Sequence, residues 1–127
     1  MICKLSKIKC TNLKNAIMKN NLIQSHHKIL ILGGIPKTNN ESFSVKDTLV
    51  LIFGPFSSQF LNKILLSNSK YFIFDKLTSL ITFMKLICRY YKYDTILFSP
   101  GGESYDLYDD YKHRGKEFTS LIKKNKF

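Results

Sequence analysis

The chain has 127 residues and a mass of 14.8 kDa, the length of one domain, and 44% of it is hydrophobic, including ten Phe and seven Tyr. That is enough for one packed core and too apolar for intrinsic disorder. Twenty Lys and Arg stand against nine Asp and Glu, a formal net charge of +11, while Cys3, Cys10 and Cys88 form an odd set without C-x-x-C spacing, which argues against a disulfide framework or a zinc knuckle.

In chain order, MICKLSKIKC alternates apolar and basic residues and so lacks the apolar run of a secretory signal. Thr11 caps a predicted short helix to about residue 21, with Leu13 and Ile17, and Ala16 beside them, on one face. KILIL at 28–32 reads as a buried strand stopping at Gly33-Gly34, and 33–47 reads as a turn-rich loop. TLVLIF at 48–53 is a second strand. Residues 56–66 fit a helix through Phe56, Phe60, Leu61, Ile64 and Leu65. YFIF at 71–74 is a third strand, and Thr78 or Ser79 opens a helix to about residue 91 with Leu80, Phe83, Met84, Ile87 and Cys88 inward. DTILF at 94–98 is a fourth strand, and a last helix over about 114–124 presents Phe118, Leu121 and Ile122.

Apolar strands alternating with helices predict an α/β domain: a Rossmann-like, mostly parallel sheet with helices on both faces, spanning 1–127 as a single unit. Any site belongs at the carboxyl ends of the strands, where 33–47 and 99–114 fall. No apolar run is long enough to cross a membrane, and the reduced thiols fit a cytoplasmic setting.

The charge alone points to nucleic acid or an acidic lipid surface, and a small basic binding module is the alternative reading. Eighteen of the twenty cations are Lys, however, and only Arg89 and Arg114 are Arg, the usual base reader. Surface lysines accumulated through composition therefore account better for the charge than nucleic-acid binding does. A steep salt dependence of oligonucleotide binding would favour the module.

Neither G-x-x-x-x-G-K-[ST] nor G-x-G-x-x-G occurs. The pairs Gly33-Gly34 and Gly101-Gly102 either permit tight turns or present backbone N–H groups to an anion. His26 and His27 have no Cys or carboxylate at ligand spacing. His113 lies among Asp109, Asp110 and Glu117 on what reads as a solvated face. Asp106, Asp109 and Asp110 suit the start of the last helix better than a Mg²⁺ site. Ser104 lacks the G-x-S-x-G context of a hydrolase nucleophile.

The stretch LFSPGGESYDLYDDYKHRGKEF resembles the C-terminal signature of the cytoplasmic Mur ligases, nearest to the branch that adds D-glutamate to UDP-N-acetylmuramoyl-L-alanine. A strand runs into L-S-P, then small residues, S-x-D, an aromatic, and R-G-x-x-F. Here these are Ser99-Pro100, Gly101-Gly102, Ser104, Asp106, Tyr108, Tyr111, Arg114-Gly115 and Phe118. ILILGGIPK resembles the family's G-G-x-x-K, ending at Lys37. KIKCTNLKNAI matches its T-N-x-x-x-A segment at Thr11, Asn12 and Ala16, but carries Lys7 and Ile8 where the family has an acidic residue and its neighbour.

The resemblance implies a D-glutamate-binding C-terminal domain from bacterial peptidoglycan (cell-wall) biosynthesis. Thr11, Lys37, Ser104 and Tyr111 would hold the amino acid, and no catalytic or metal-binding residue is implied. It also implies that the UDP-sugar and ATPase domains, with ATP and Mg²⁺, lie outside these residues. The chain then resembles part of an ATP-dependent amide-bond-forming ligase without its ATP-binding domain: a stand-alone fragment or split-gene piece, inactive alone, whose partner would be separately encoded ligase domains. The departure at Lys7 favours decay over a working split enzyme.

Overall fold

The computed structural model describes residues 4–7, 13–36, 41–98 and 111–125. In order, these form β1 (Lys4–Lys7), α1 (Leu13–Leu22), β2 (Lys28–Gly33), β3 (Phe43–Lys46), β4 (Thr48–Phe53), α2 (Ser57–Leu61), β5 (Ile64–Ser67), β6 (Lys70–Phe74), α3 (Leu77–Tyr90), β7 (Thr95–Phe98) and α4 (Tyr111–Asn125). Five strands make one sheet in the order β1-β7-β2-β4-β6, and β3 pairs with β5 in a second, two-stranded sheet. Every ladder among them is parallel, so the expected α/β, Rossmann-like class holds.

The core follows from the strands' composition. β2 and β4 are buried at all six positions and β7 at all four, as parallel strands covered on both faces must be. One face carries Ile29, Ile31, Leu49, Leu51, Ile96 and Phe98 against Leu77, Leu80, Ile81 and Met84 of α3 and Phe118 of α4. The other carries Leu30, Leu32, Val50, Ile52 and Leu97 against Leu13, Ala16 and Ile17 of α1, Phe60 of α2, and the small sheet through Val45 and Ile64. The inward residues expected for α1 and α4 are the ones found. In α3, Leu77 and Ile81 join Leu80 and Met84 inside, while Phe83, Ile87 and Cys88 are half-buried against the same cluster.

Three expectations need correction. The helical pattern over 56–66 delivers a helix only at Ser57–Leu61; Ile64–Ser67 is strand β5, and Leu65 is 61% exposed rather than inward. The 33–47 stretch is not loop throughout, since Phe43–Lys46 is strand β3. α3 starts at Leu77 after the extended Lys76, not behind a Thr78 or Ser79 cap.

The small sheet joins the large one through two matching turns. Asp47 alone separates β3 from β4, and Asn68 with Ser69 separates β5 from β6. Asp47 and Asn68 both adopt φ 49°, in the left-handed region that Asp and Asn tolerate best among non-glycine residues. Asn68 Nδ2 donates to Asp47 Oδ1 at 2.6 Å, tying the turns together.

Candidate functional site

The strand order decides where a site can form. The chain leaving β2 turns toward the face covered by α1 and the small sheet, whereas the chain leaving the adjacent β7 leads to α4 on the opposite face. Neighbouring strands whose exits diverge leave a crevice at their carboxyl ends, the usual binding position in an open α/β sheet. β1 lies on the far side of β7, so the carboxyl ends of β1, β7 and β2 stand side by side.

The floor of this crevice is aromatic. The Phe98 ring at the end of β7 stacks on Phe118 of α4 at 4.1 Å and 10°, and on Phe53 at the end of β4 at 6.5 Å and 16°. β4 and β7 flank β2, so their backbones are two strand spacings apart, about 10 Å. Phe53 and Phe98 can meet only over a gap in β2. Gly33 is that gap: a Cβ there would stand 2.5–2.8 Å from three Phe53 ring carbons. Gly34 follows at φ 97°, a conformation that a side chain would strain. The glycine pair therefore has two separate jobs, one steric and one conformational.

Thr11, Lys37 and Ser104 lie outside the described residues. Tyr111 is the first residue of α4, and its side chain is likewise not described. Connectivity still orders them: Thr11 falls between β1 and α1, Lys37 three residues beyond Gly34, and Ser104 and Tyr111 between β7 and the body of α4. All four belong to segments leaving the three adjacent strands of the crevice.

No family profile matches the chain. Among curated proteins it is similar to the UDP-N-acetylmuramoylalanine--D-glutamate ligase of Petrotoga mobilis, 30% identical over 122 residues that cover 92% of this chain and 27% of that enzyme. The chain is related to the D-glutamate-adding Mur ligases. The ligases of Hydrogenobaculum sp. (34% over 106 residues; 76% of this chain, 24% of the relative) and Prochlorococcus marinus strain MIT 9312 (33% over 122; 90% and 26%) give the same result. This chain spans about a quarter of the length of these Mur ligase relatives. Among the described residues, no helix is long and apolar enough to cross a membrane.

The opposite, amino end of the sheet holds groups that sequence reasoning did not connect. His26 Nδ1 lies 3.2 Å from Asp47 Oδ2, a carboxylate twenty-one positions away. The Asn68 hydrogen bond, and then the neighbouring His26, hold Asp47 below the usual carboxylate range. Lys28 is buried and its ammonium donates to the carbonyls of Asn20 (2.7 Å) and Ile23 (3.0 Å), closing the carboxyl end of α1. Burial pushes its pKa down. Asn20 Nδ2 donates to Thr48 Oγ1 at 2.9 Å, which donates onward to the Lys46 carbonyl. These contacts come from separate segments, so no short motif could have signalled them. No group of three or more His, Cys, Asp or Glu side chains is placed to hold a metal among the described residues.

Proposed function

We propose that this chain corresponds to the D-glutamate-binding C-terminal domain of a UDP-N-acetylmuramoyl-L-alanine:D-glutamate ligase, inactive without the ATP-binding part of such an enzyme. The observation that carries the reading is the strand order β1-β7-β2. It launches the segments bearing Thr11, Ser104 with Tyr111, and Lys37 from three adjacent carboxyl ends, in a chain related to these ligases.

The outer two of those strands are about 10 Å apart, a span that a small dicarboxylic amino acid can bridge. In this role the Lys37 ammonium pairs with one glutamate carboxylate. The Thr11 and Ser104 hydroxyls donate to carboxylate oxygens, and the amino-terminal N–H groups of α4 near Tyr111 favour the same negative charge. The aromatic stack of Phe53, Phe98 and Phe118 gives these segments a fixed base. What the domain contributes is position: it holds the amino group of D-glutamate ready for attack. Activation of the acceptor carboxylate by ATP and Mg²⁺ belongs to the other half, because this sequence has no phosphate-binding glycine loop.

Two measurements test this. Titration with D-glutamate, followed by amide NMR, should give saturable shifts at the carboxyl ends of β2 and β7. L-glutamate should give weaker ones, and Lys37→Ala should weaken D-glutamate binding by about tenfold or more through loss of a charge-assisted contact. Mixing the chain with an ATPase half from one of the related ligases should restore D-glutamate-dependent ADP release. Absence of both defeats the proposal. Binding without ADP release would leave a decayed domain that keeps its pocket.

A further inference from the structure

The amino ends of β2, β4 and β6 and the approach to β7 border an open pocket of about 390 Å³. This is the end of the sheet away from the crevice, and the size lies within the roughly 300–1,000 Å³ of small-molecule pockets. Lys28, Lys70 and Lys92 line it against one carboxylate, Asp47, a surplus of two positive charges. Asp47 is not free to repel an incoming anion at full strength, because Oδ1 accepts from Asn68 and Oδ2 faces His26. The Lys28 ammonium is committed to α1. Lys70 and Lys92 are exposed, and neither forms an ion pair among the described residues.

The donor set selects the charge type. The exposed cations of the lining are lysines, compact point charges that can hold an oxyanion without imposing a planar geometry on it. Two lysine point charges beside imidazole N–H groups suit a tetrahedral oxyanion carrying two charges. A lone inorganic ion would leave most of the volume empty, and the wall beside Lys92 carries two aromatic side chains, Tyr91 and the half-buried Tyr93. We propose that this pocket binds a phosphorylated small molecule, its phosphate held by Lys70 and Lys92 and its organic part against Tyr91 and Tyr93. The site does not rest on the ligase reading, since it shares none of the residues assigned to glutamate.

The test uses adenosine monophosphate, inorganic phosphate and adenosine as probes of the full chain, with amide shifts as the readout. Adenosine monophosphate should give saturable shifts in residues 26–28, 47–49, 68–70 and 91–93. Inorganic phosphate should bind the same residues more weakly, and adenosine should leave them unmoved. Replacing both Lys70→Glu and Lys92→Glu should weaken binding by about tenfold or more, since two charge-assisted contacts are lost. The equal charge change at Lys85→Glu and Lys116→Glu, outside the pocket, should change it by less than about twofold at physiological salt. Equal weakening by both pairs would mean diffuse charge attraction and overturn the site, as would the absence of saturable shifts at millimolar probe. Phosphate binding as tightly as adenosine monophosphate would overturn the organic part. Should the reversed pair not fold, Lys70→Gln with Lys92→Gln reads out the same loss.

Discussion

At its carboxyl end the sheet's strands exit through residues that are contiguous in the chain: β2 runs straight into Gly33-Gly34, and β7 ends in Phe98 just before the serine-proline-glycine stretch. At its amino end the comparable density of interactions is assembled from Asn20, His26, Lys28, Asp47, Thr48 and Asn68, drawn from four separate stretches. Local stretches that must turn sharply or approach another backbone use glycine and proline, so they leave a pattern. Clusters assembled by topology need only polar residues that meet after folding, and polar residues are common everywhere in this chain. The two ends therefore differ in how much a reader of the sequence can recover, and also in what holds them: close ring packing at one, hydrogen bonds and charge at the other.

The sharpest way to break that contrast is Gly33→Ala. The new Cβ would press into the Phe53 ring, which the Phe98 stack holds in place, so we expect a loss of about 1–3 kcal/mol in urea unfolding from overpacking. An unchanged midpoint would show that the ring gives way easily and that the floor is not rigid.

A smaller effect is expected from Lys28→Met at the other end. Methionine keeps the apolar stem. The Asn20 and Ile23 carbonyls keep their other donors, the N–H groups of Ile23 and Ser25. Removing a buried charge also relieves the desolvation that lowers the Lys28 pKa. The net cost should be about 1 kcal/mol, below that of Gly33→Ala. A larger loss would make the amino end the stronger anchor and reverse the comparison.

The smallest effect concerns acid. The folded-state pKa of Asp47 lies below its ordinary 3.8, chiefly through the Asn68 hydrogen bond. Its contribution to stability is therefore present above that ordinary value and is lost as pH falls through the lower, folded one. Asn68→Gly preserves access to the left-handed turn while deleting the amide. The Asp47 carboxyl, followed by NMR, should then titrate closer to 3.8. A titration left where it was would assign the shift to His26 instead.

The same division explains which elements the sequence revealed. β2, β4 and β7 are apolar beyond their first residues, Lys28, Thr48 and Thr95, and were legible, since a strand buried on both faces can use little else. β5 was not, because Ile64 and Leu65 also continue the helical spacing begun by Phe56 and Phe60; only packing against β3 settles them as strand. β3 hid among turn formers because a four-residue strand with one fully buried side chain, Val45, leaves little periodicity. Of the strand ends from which the proposed glutamate-site segments leave, those of β2 and β7 were legible; β1 was not, because KLSK has no continuous apolar run. The aromatic stack beneath them was not, because it unites Phe53, Phe98 and Phe118 from three distant parts of the chain.

The position of β7 also fixes an order of assembly. β1 pairs with β7 at the edge of the sheet, with Lys4 opposite Thr95, while β7 itself must fit between β1 and β2. β1, made before its partner, thus has no place in this sheet until β7 has been made. β2, β4 and β6 can pair earlier, over shorter separations that cost less chain entropy to close. Nascent β1 must wait for some ninety residues of synthesis, and a chain cut short before Thr95 loses both strands at once.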